Sequence, residues 1–177
     1  MKEINLNQYE AILFDWGDTI MKDFPDKAGK MRYWDVVEEV PNAKKILSVL
    51  SKKMRCYLAT SAEHSTKEDI IEALKRVELN QYFTNIFCYR DVGCKKNESQ
   101  FYTRVISQLD VDAKNIIMIG NDLENDVIIP VSCGIKAILF DPQSKYDNYH
   151  GDKLKDLIEL LSDAAEQPSG EDLYRKV

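Results

Sequence analysis

The sequence predicts an α/β fold: a three-layer, Rossmann-like parallel sheet with helices on both faces. Three observations carry that prediction. Short apolar runs recur at 11–16, 56–60, 85–89, 115–120 and 136–140. Amphipathic helical patterns fill most of the intervals between them. The runs are continuously apolar rather than alternating, as parallel strands covered on both faces are.

Each element has its own justification. "AILFDW" (11–16) is too short for a helix and rich in aromatic and β-branched residues, so it reads as the first strand. Residues 21–40, "MKDFPDKAGKMRYWDVVEEV", are expected to form a small flap carrying Tyr33 and Trp34. Over 41–53, Pro41 suits a first helical position, and Ile46, Leu47 and Leu50 make an apolar stripe. "CYLAT" (56–60) is the second strand. Over 65–77, Ser65 and Glu68 have capping-box spacing, and Ile70, Ile71, Leu74 and Val77 form one face. "NIFCY" (85–89) is the third strand. A helix over 98–109 follows from Phe101, Val105 and Leu109. "NIIMIG" (115–120) is the fourth strand. Residues 122–132 give a weaker helix interrupted by Pro130, and "KAILF" (136–140) is the fifth strand. Leu154, Leu157, Ile158 and Leu161 predict a helix over 152–162. The polar "EQPSGEDLYRKV" (166–177) reads as a loose tail, which leaves 1–165 as a single domain.

Composition narrows the function classes. The 177 residues are 44% hydrophobic and 31% charged, ordinary values for a globular chain that can bury a core. A net charge of −6 with scattered Lys and Arg gives no nucleic-acid footprint. No apolar run approaches the length needed to span a bilayer, and the N-terminus lacks an apolar signal core. Cys56, Cys88, Cys94 and Cys133 form no C-x-x-C pair, and two histidines make a zinc site a poor fit. Cys56 and Cys88 read as buried small hydrophobes, and a reducing, cytoplasmic location is expected.

In a parallel α/β sheet, ligands bind beyond the carboxyl ends of the strands. The first strand ends in Asp15, the second in Thr60 and Ser61. Lys95 and Lys96 follow the third, and the fourth ends in Gly120, Asn121 and Asp122, with Asp126 further on. A carboxylate nucleophile, hydroxyls, a cation and an acidic cluster suit phosphoryl transfer. A carboxylate can form an acyl phosphate, Mg²⁺ takes carboxylates plus phosphate oxygens, and Lys with a hydroxyl can hold phosphoryl oxygens. Each residue also has a bland reading. Asp15 could be a turn residue, Thr60-Ser61 an N-cap, Lys95 a solvated cation, and Asp122 a helix cap. His64, His150 and the two tryptophans are expected at the surface or in packing.

With those residues in that order, the chain resembles the haloacid dehalogenase superfamily over roughly residues 10–140. "FDWGDT" is similar to the family's D-x-D-x-T motif at Asp15 and Thr19, and "CYLATSA" to its strand-end Ser/Thr at Thr60. "VGCKKNESQF" resembles its G-x-x-K-P-x-x-x-x-F pattern. Counting back from Phe101 makes Lys95 the lysine, with Lys96 at the usual Pro place. "MIGNDLENDV" resembles its acidic motif, with Asp126 at the final position. The resemblance implies that Asp15 attacks phosphorus, and that Thr60, Ser61 and Lys95 bind the phosphoryl group. It also implies that Mg²⁺ is held by Asp15, the Gly17 carbonyl, Asp126 and either Asn121 or Asp122.

The first motif departs from the pattern. The family's phosphatases carry an acid/base Asp two residues after the nucleophile, and here that place is Gly17. The displaced Asp18 is a candidate for the acid, for the metal site, or for shaping the turn. General acid–base help is worth about 10²–10⁴-fold, so its loss predicts a preference for good leaving groups. No interval has room for a large cap domain, so the expected form is capless. The partner is then a phosphorylated substrate, small molecule or macromolecule, and a homo-oligomer is one way to cover the site. The competing class is a catalytically weak or inactive relative that binds a phosphorylated ligand or a protein partner.

Overall fold

A computed structural model describes residues 5–164. The tail expected at 166–177 lies outside the described residues. The elements run β1 (Ala11–Phe14), α1 (Ala43–Leu50), β2 (Arg55–Thr60), α2 (Lys67–Lys75), β3 (Asn85–Cys88), α3 (Tyr89–Val92), α4 (Ser99–Leu109), β4 (Ile116–Gly120), α5 (Ile129–Ser132), β5 (Lys136–Phe140) and β6 (Lys153–Leu154). A π-helical turn, Leu123–Ile128, leads into α5, and a 3₁₀ helix, Leu157–Ala164, ends the described chain.

The strands form one sheet in the order β3-β2-β1-β4-β5-β6, with every neighbouring pair parallel. After β1 the chain builds outward through β2 and β3, then returns to start β4 on the other side. The boundary between β1 and β4 is therefore the point where winding reverses and a crevice opens at the carboxyl ends. The register sets Phe14 beside Leu58 and Ile119, so Asp15 emerges at the sheet's middle.

Alternating residues of each strand feed two apolar layers. Ile12, Phe14 and Leu58 pack with α1, α2 and the terminal 3₁₀ helix through Ile46, Leu47, Ile70, Leu74 and Leu157. Ala11, Leu13, Tyr57 and Met118 pack on the other face with Phe101, Tyr102 and Val105 of α4. This is the three-layer arrangement that continuous apolar strands require. Cys56, Cys88 and Cys94 are buried free thiols, and burial pushes Cys56 up to about 12. Among the described residues, no helix is long and apolar enough to cross a membrane.

Several boundaries differ from the sequence expectation. The capping box at α2 uses Thr66 and Asp69, one residue beyond Ser65 and Glu68. The helix expected over 152–162 starts later. Its first residues instead pair with β5 as β6, where Leu139 donates to the Asp152 carbonyl and Asp141 to that of Leu154. Asp122 caps the π-helical turn by accepting from the Asn125 N–H at 2.7 Å.

Residues 21–40 form a short excursion over the rim. Lys22 donates to the Glu38 carbonyl and Val40 to that of Ile20, closing its neck. Asp69 of α2, with its side chain 5% exposed, takes Lys30 at 2.6 Å and Arg32 at 3.0 Å. The Arg76 guanidinium donates to the carbonyls of Arg32, Trp34 and Asp35.

Candidate active site

Asp15 ends β1, held by its N–H bond to the Ile119 carbonyl at 2.9 Å. Its two oxygens face different neighbours. Oδ1 receives the Lys96 ammonium at 2.5 Å. Oδ2 accepts from the Thr19 hydroxyl at 3.4 Å, and that hydroxyl also lies 3.3 Å from Asn121 Oδ1. Thr19 is fully buried, so it fixes the carboxylate from beneath.

The cation beside Asp15 is Lys96 and not Lys95. The Lys96 side chain is 3% exposed and also meets Asp126 Oδ1 at 2.5 Å. Burial opposes its charge, but Asp126 and Asp15 together outweigh that cost and raise its affinity for the proton. Lys95 turns outward, 39% exposed, to pair with Glu63 at 2.6 Å. The loop geometry explains the choice. Gly93 takes a left-handed φ of 78°, the Glu98 N–H closes a turn on the Lys95 carbonyl, and Lys96 N–H donates to Ser61 Oγ at 3.2 Å. Counting forward from Gly93 in the G-x-x-K pattern reaches Lys96, and this is the sequence signal that counting back from Phe101 missed.

Asp126, expected as a metal ligand, shares the Lys96 ammonium with Asp15. Burial is the largest influence on it and pushes its carboxyl up, with Lys96 pulling it back. Its Oδ2 accepts from the Asp122 N–H at 3.0 Å. It presses so closely on Gly120 that a Cβ there would overlap the carboxylate. A residue without a side chain at the end of β4 is what lets this carboxylate reach Lys96.

The acidic motif's alternatives separate in space. Asp122 is occupied as the helix cap, whereas one end of the Asn121 amide lies 3.3 Å from both Asp15 Oδ2 and the Gly17 carbonyl oxygen. With the amide oxygen at that end, three oxygens gather, and the Thr19 hydroxyl stands beside them. With nitrogen there, the amide would donate to both. Three facing oxygens are what a hard cation calls for, so the residues present fit Mg²⁺. Among the described residues, no group of three His, Cys, Asp or Glu side chains forms a metal cage. The candidate set instead draws on one carboxylate, one backbone carbonyl and one amide.

Thr60 is buried at the end of β2, and its Oγ1 accepts from the Ala62 N–H at 3.2 Å. Thr60 and Ser61 line a cleft together with Asp15, Gly17 and Asp23. Asp18 is exposed and adopts a left-handed φ of 54°. Its Oδ1 accepts from the Asp23 N–H at 2.9 Å, so it caps the turn that starts the flap. Asp23 was not singled out from sequence, because only the fold of the flap brings it back to the rim. Burial, then the charge of Asp18, raise its carboxyl above the usual range. A bond from the Phe24 N–H opposes this, and Asp15 adds to the rise. His64 and His150 are exposed, and Trp16 is buried.

Comparison with known proteins agrees with this arrangement. A family described as haloacid dehalogenase-like hydrolase matches residues 5–140. A ribulose-1,5-bisphosphate 5-phosphatase from Halopiger xanaduensis is 29% identical over 119 residues, which are 65% of this chain and 49% of that protein. The chain thus spans about half the length of that curated relative. A HAD phosphatase from Thermococcus onnurineus superposes with a TM-score of 0.70 at 18% identity, covering 88% of this chain and 98% of the other. The HAD-hydrolase YfnB from Bacillus subtilis, bound to magnesium, gives a TM-score of 0.71 at 15% identity, covering 86% and 97%. These two structural likenesses speak for the fold.

Proposed function

Since the chain belongs to the haloacid dehalogenase-like hydrolases, we propose that it is a phosphohydrolase acting through an aspartyl-phosphate on Asp15. The observation that carries this reading is the buried Lys96 bridging Asp15 and Asp126 at 2.5 Å each. The Lys96 positive charge beside Asp15 draws a phosphate ester toward the nucleophile at the rim. The phosphatase activity of the Halopiger relative points the same way.

The residues divide the work. Asp15 attacks phosphorus and carries the phosphoryl group until water displaces it. Lys96 and the Thr60 hydroxyl face the phosphoryl oxygens, and Ser61 holds the Lys96 backbone in place. Asp15 Oδ2, the Gly17 carbonyl and the Asn121 amide oxygen would hold Mg²⁺, as magnesium bound to the YfnB hydrolase suggests. Bound there, the ion would lessen the repulsion between Asp15 and an incoming phosphate. Asp126 orients Lys96, and Asp122 caps the turn that carries Asp126. By itself, Gly17 would confine such a site to good leaving groups, such as aryl phosphates.

The test is phosphate release from a panel of phosphate esters, with and without Mg²⁺. The wild type should release phosphate only with Mg²⁺ present, and Asp15→Asn should reduce release to background. Turnover retained by Asp15→Asn would refute the nucleophile. Binding of phosphate esters without any turnover would favour the ligand-binding class instead.

A further inference from the structure

Gly17 leaves the family's usual acid/base place without a side chain, yet that place is not bare. A Cβ built on Gly17 would lie 3.6 Å from Asp23 Oδ2 and 3.8 Å from Asp23 Cβ. A carboxylate from six residues along the chain therefore stands where a side chain at Gly17 would point. Asp23 lines the cleft that holds Asp15, Gly17 and Thr60, and it also lines a neighbouring cleft with Asn121 and Lys145. It thus stands on the boundary between the nucleophile and the space open to the rest of a substrate.

The local chain holds it there. Asp18, in its left-handed conformation, accepts the Asp23 N–H, and the Met21 backbone bridges to both Gly17 and Glu39. The one-place shift of acidic residues in "DWGDT" thus has a structural use: Asp18 sets the turn that returns Asp23.

Resting on the phosphohydrolase reading above, we propose that Asp23 is the general acid and base of this site, supplied from the flap in place of the missing side chain at Gly17. In the first half-reaction, an oxygen of Asp15 forms a bond to phosphorus as the bond to the ester oxygen breaks. The Asp23 carboxyl gives its proton to that departing oxygen, releasing an alcohol. In the second, the Asp23 carboxylate takes a proton from water as the water oxygen bonds to phosphorus. The bond from Asp15 to phosphorus breaks, inorganic phosphate leaves, and both residues regain their starting states. The restriction to good leaving groups that Gly17 alone would impose is lifted.

The experiment compares para-nitrophenyl phosphate with butyl phosphate in the full chain. Asp23→Asn preserves size and the acceptor for the Phe24 N–H. It should lower butyl phosphate turnover by about 10²–10⁴-fold and para-nitrophenyl phosphate turnover by less than about tenfold. Adding Gly17→Asp to Asp23→Asn should restore most of the butyl phosphate turnover. An active wild type whose Asp23→Asn variant keeps the same ratio between the two substrates would overturn the proposal. An equal loss on both, or no recovery in a folded double variant, would do so too. A wild type inactive on both substrates would refute the phosphohydrolase reading itself, and this proposal with it.

Discussion

At the scale of single residues, two adjacent lysines have opposite fates. Lys96 is buried between two carboxylates, and Lys95 pairs with Glu63 at the surface. Removing one partner from a buried ionic cluster costs about 3–5 kcal/mol, because uncompensated charge is left behind. An exposed pair is worth about 0–1 kcal/mol. Lys96→Met should therefore lower the melting temperature strongly and abolish phosphate release. Lys95→Ala should leave both nearly unchanged, with turnover within about threefold of wild type. Thermal unfolding beside a phosphate-release assay on the two variants checks this. The same pair marks a limit of the sequence: Phe101 and Gly93 are rival counting anchors that point to adjacent lysines, and only the turn at 93–98 chooses between them. Asp15 and Thr60 were readable because they end apolar strands. Asp23 was not, because no periodicity records where a loop returns.

At the scale of elements, the flap is attached chiefly through α2. Asp69 closes its own capping box while holding Lys30 and Arg32, and Lys30 is the foremost of the influences that keep its carboxyl well below the usual carboxylate range. A carboxyl depressed by folding adds stability above its unfolded value of about 3.9, and that stability is lost as the pH falls through its folded value. Asp69→Asn should therefore raise hydrogen exchange over residues 21–40 at neutral pH. It should also flatten the acid end of the stability profile relative to wild type. Unchanged exchange there would show that Arg76 and the neck suffice. The strands and helices themselves were legible wherever an apolar pattern ran for several residues. The two-residue β6 was not, because its place is decided by the free edge of β5 and not by its own residues. The α2 cap moved by one residue because Thr66 and Asp69 complete a reciprocal pair.

At the scale of the whole molecule, function follows from topology. Winding outward on both sides of β1 places the ends of β1, β2 and β4 at one rim, so residues from 15 to 126 meet within a few ångströms. The fold class was readable because continuous apolar strands with helices between them admit few other arrangements. Which residue of the acidic motif turns toward Asp15 was not, because it depends on whether Asn121 or Asp122 turns inward once β4 ends. What that rim does is tested most directly by acid quench during turnover of a phosphate ester, followed by mass spectrometry of the peptides. A single phosphoryl group on Asp15, accumulating with substrate and absent from Asp15→Asn, is the predicted result. Turnover with Asp15 unmodified, or with the phosphoryl group on another residue, would contradict it.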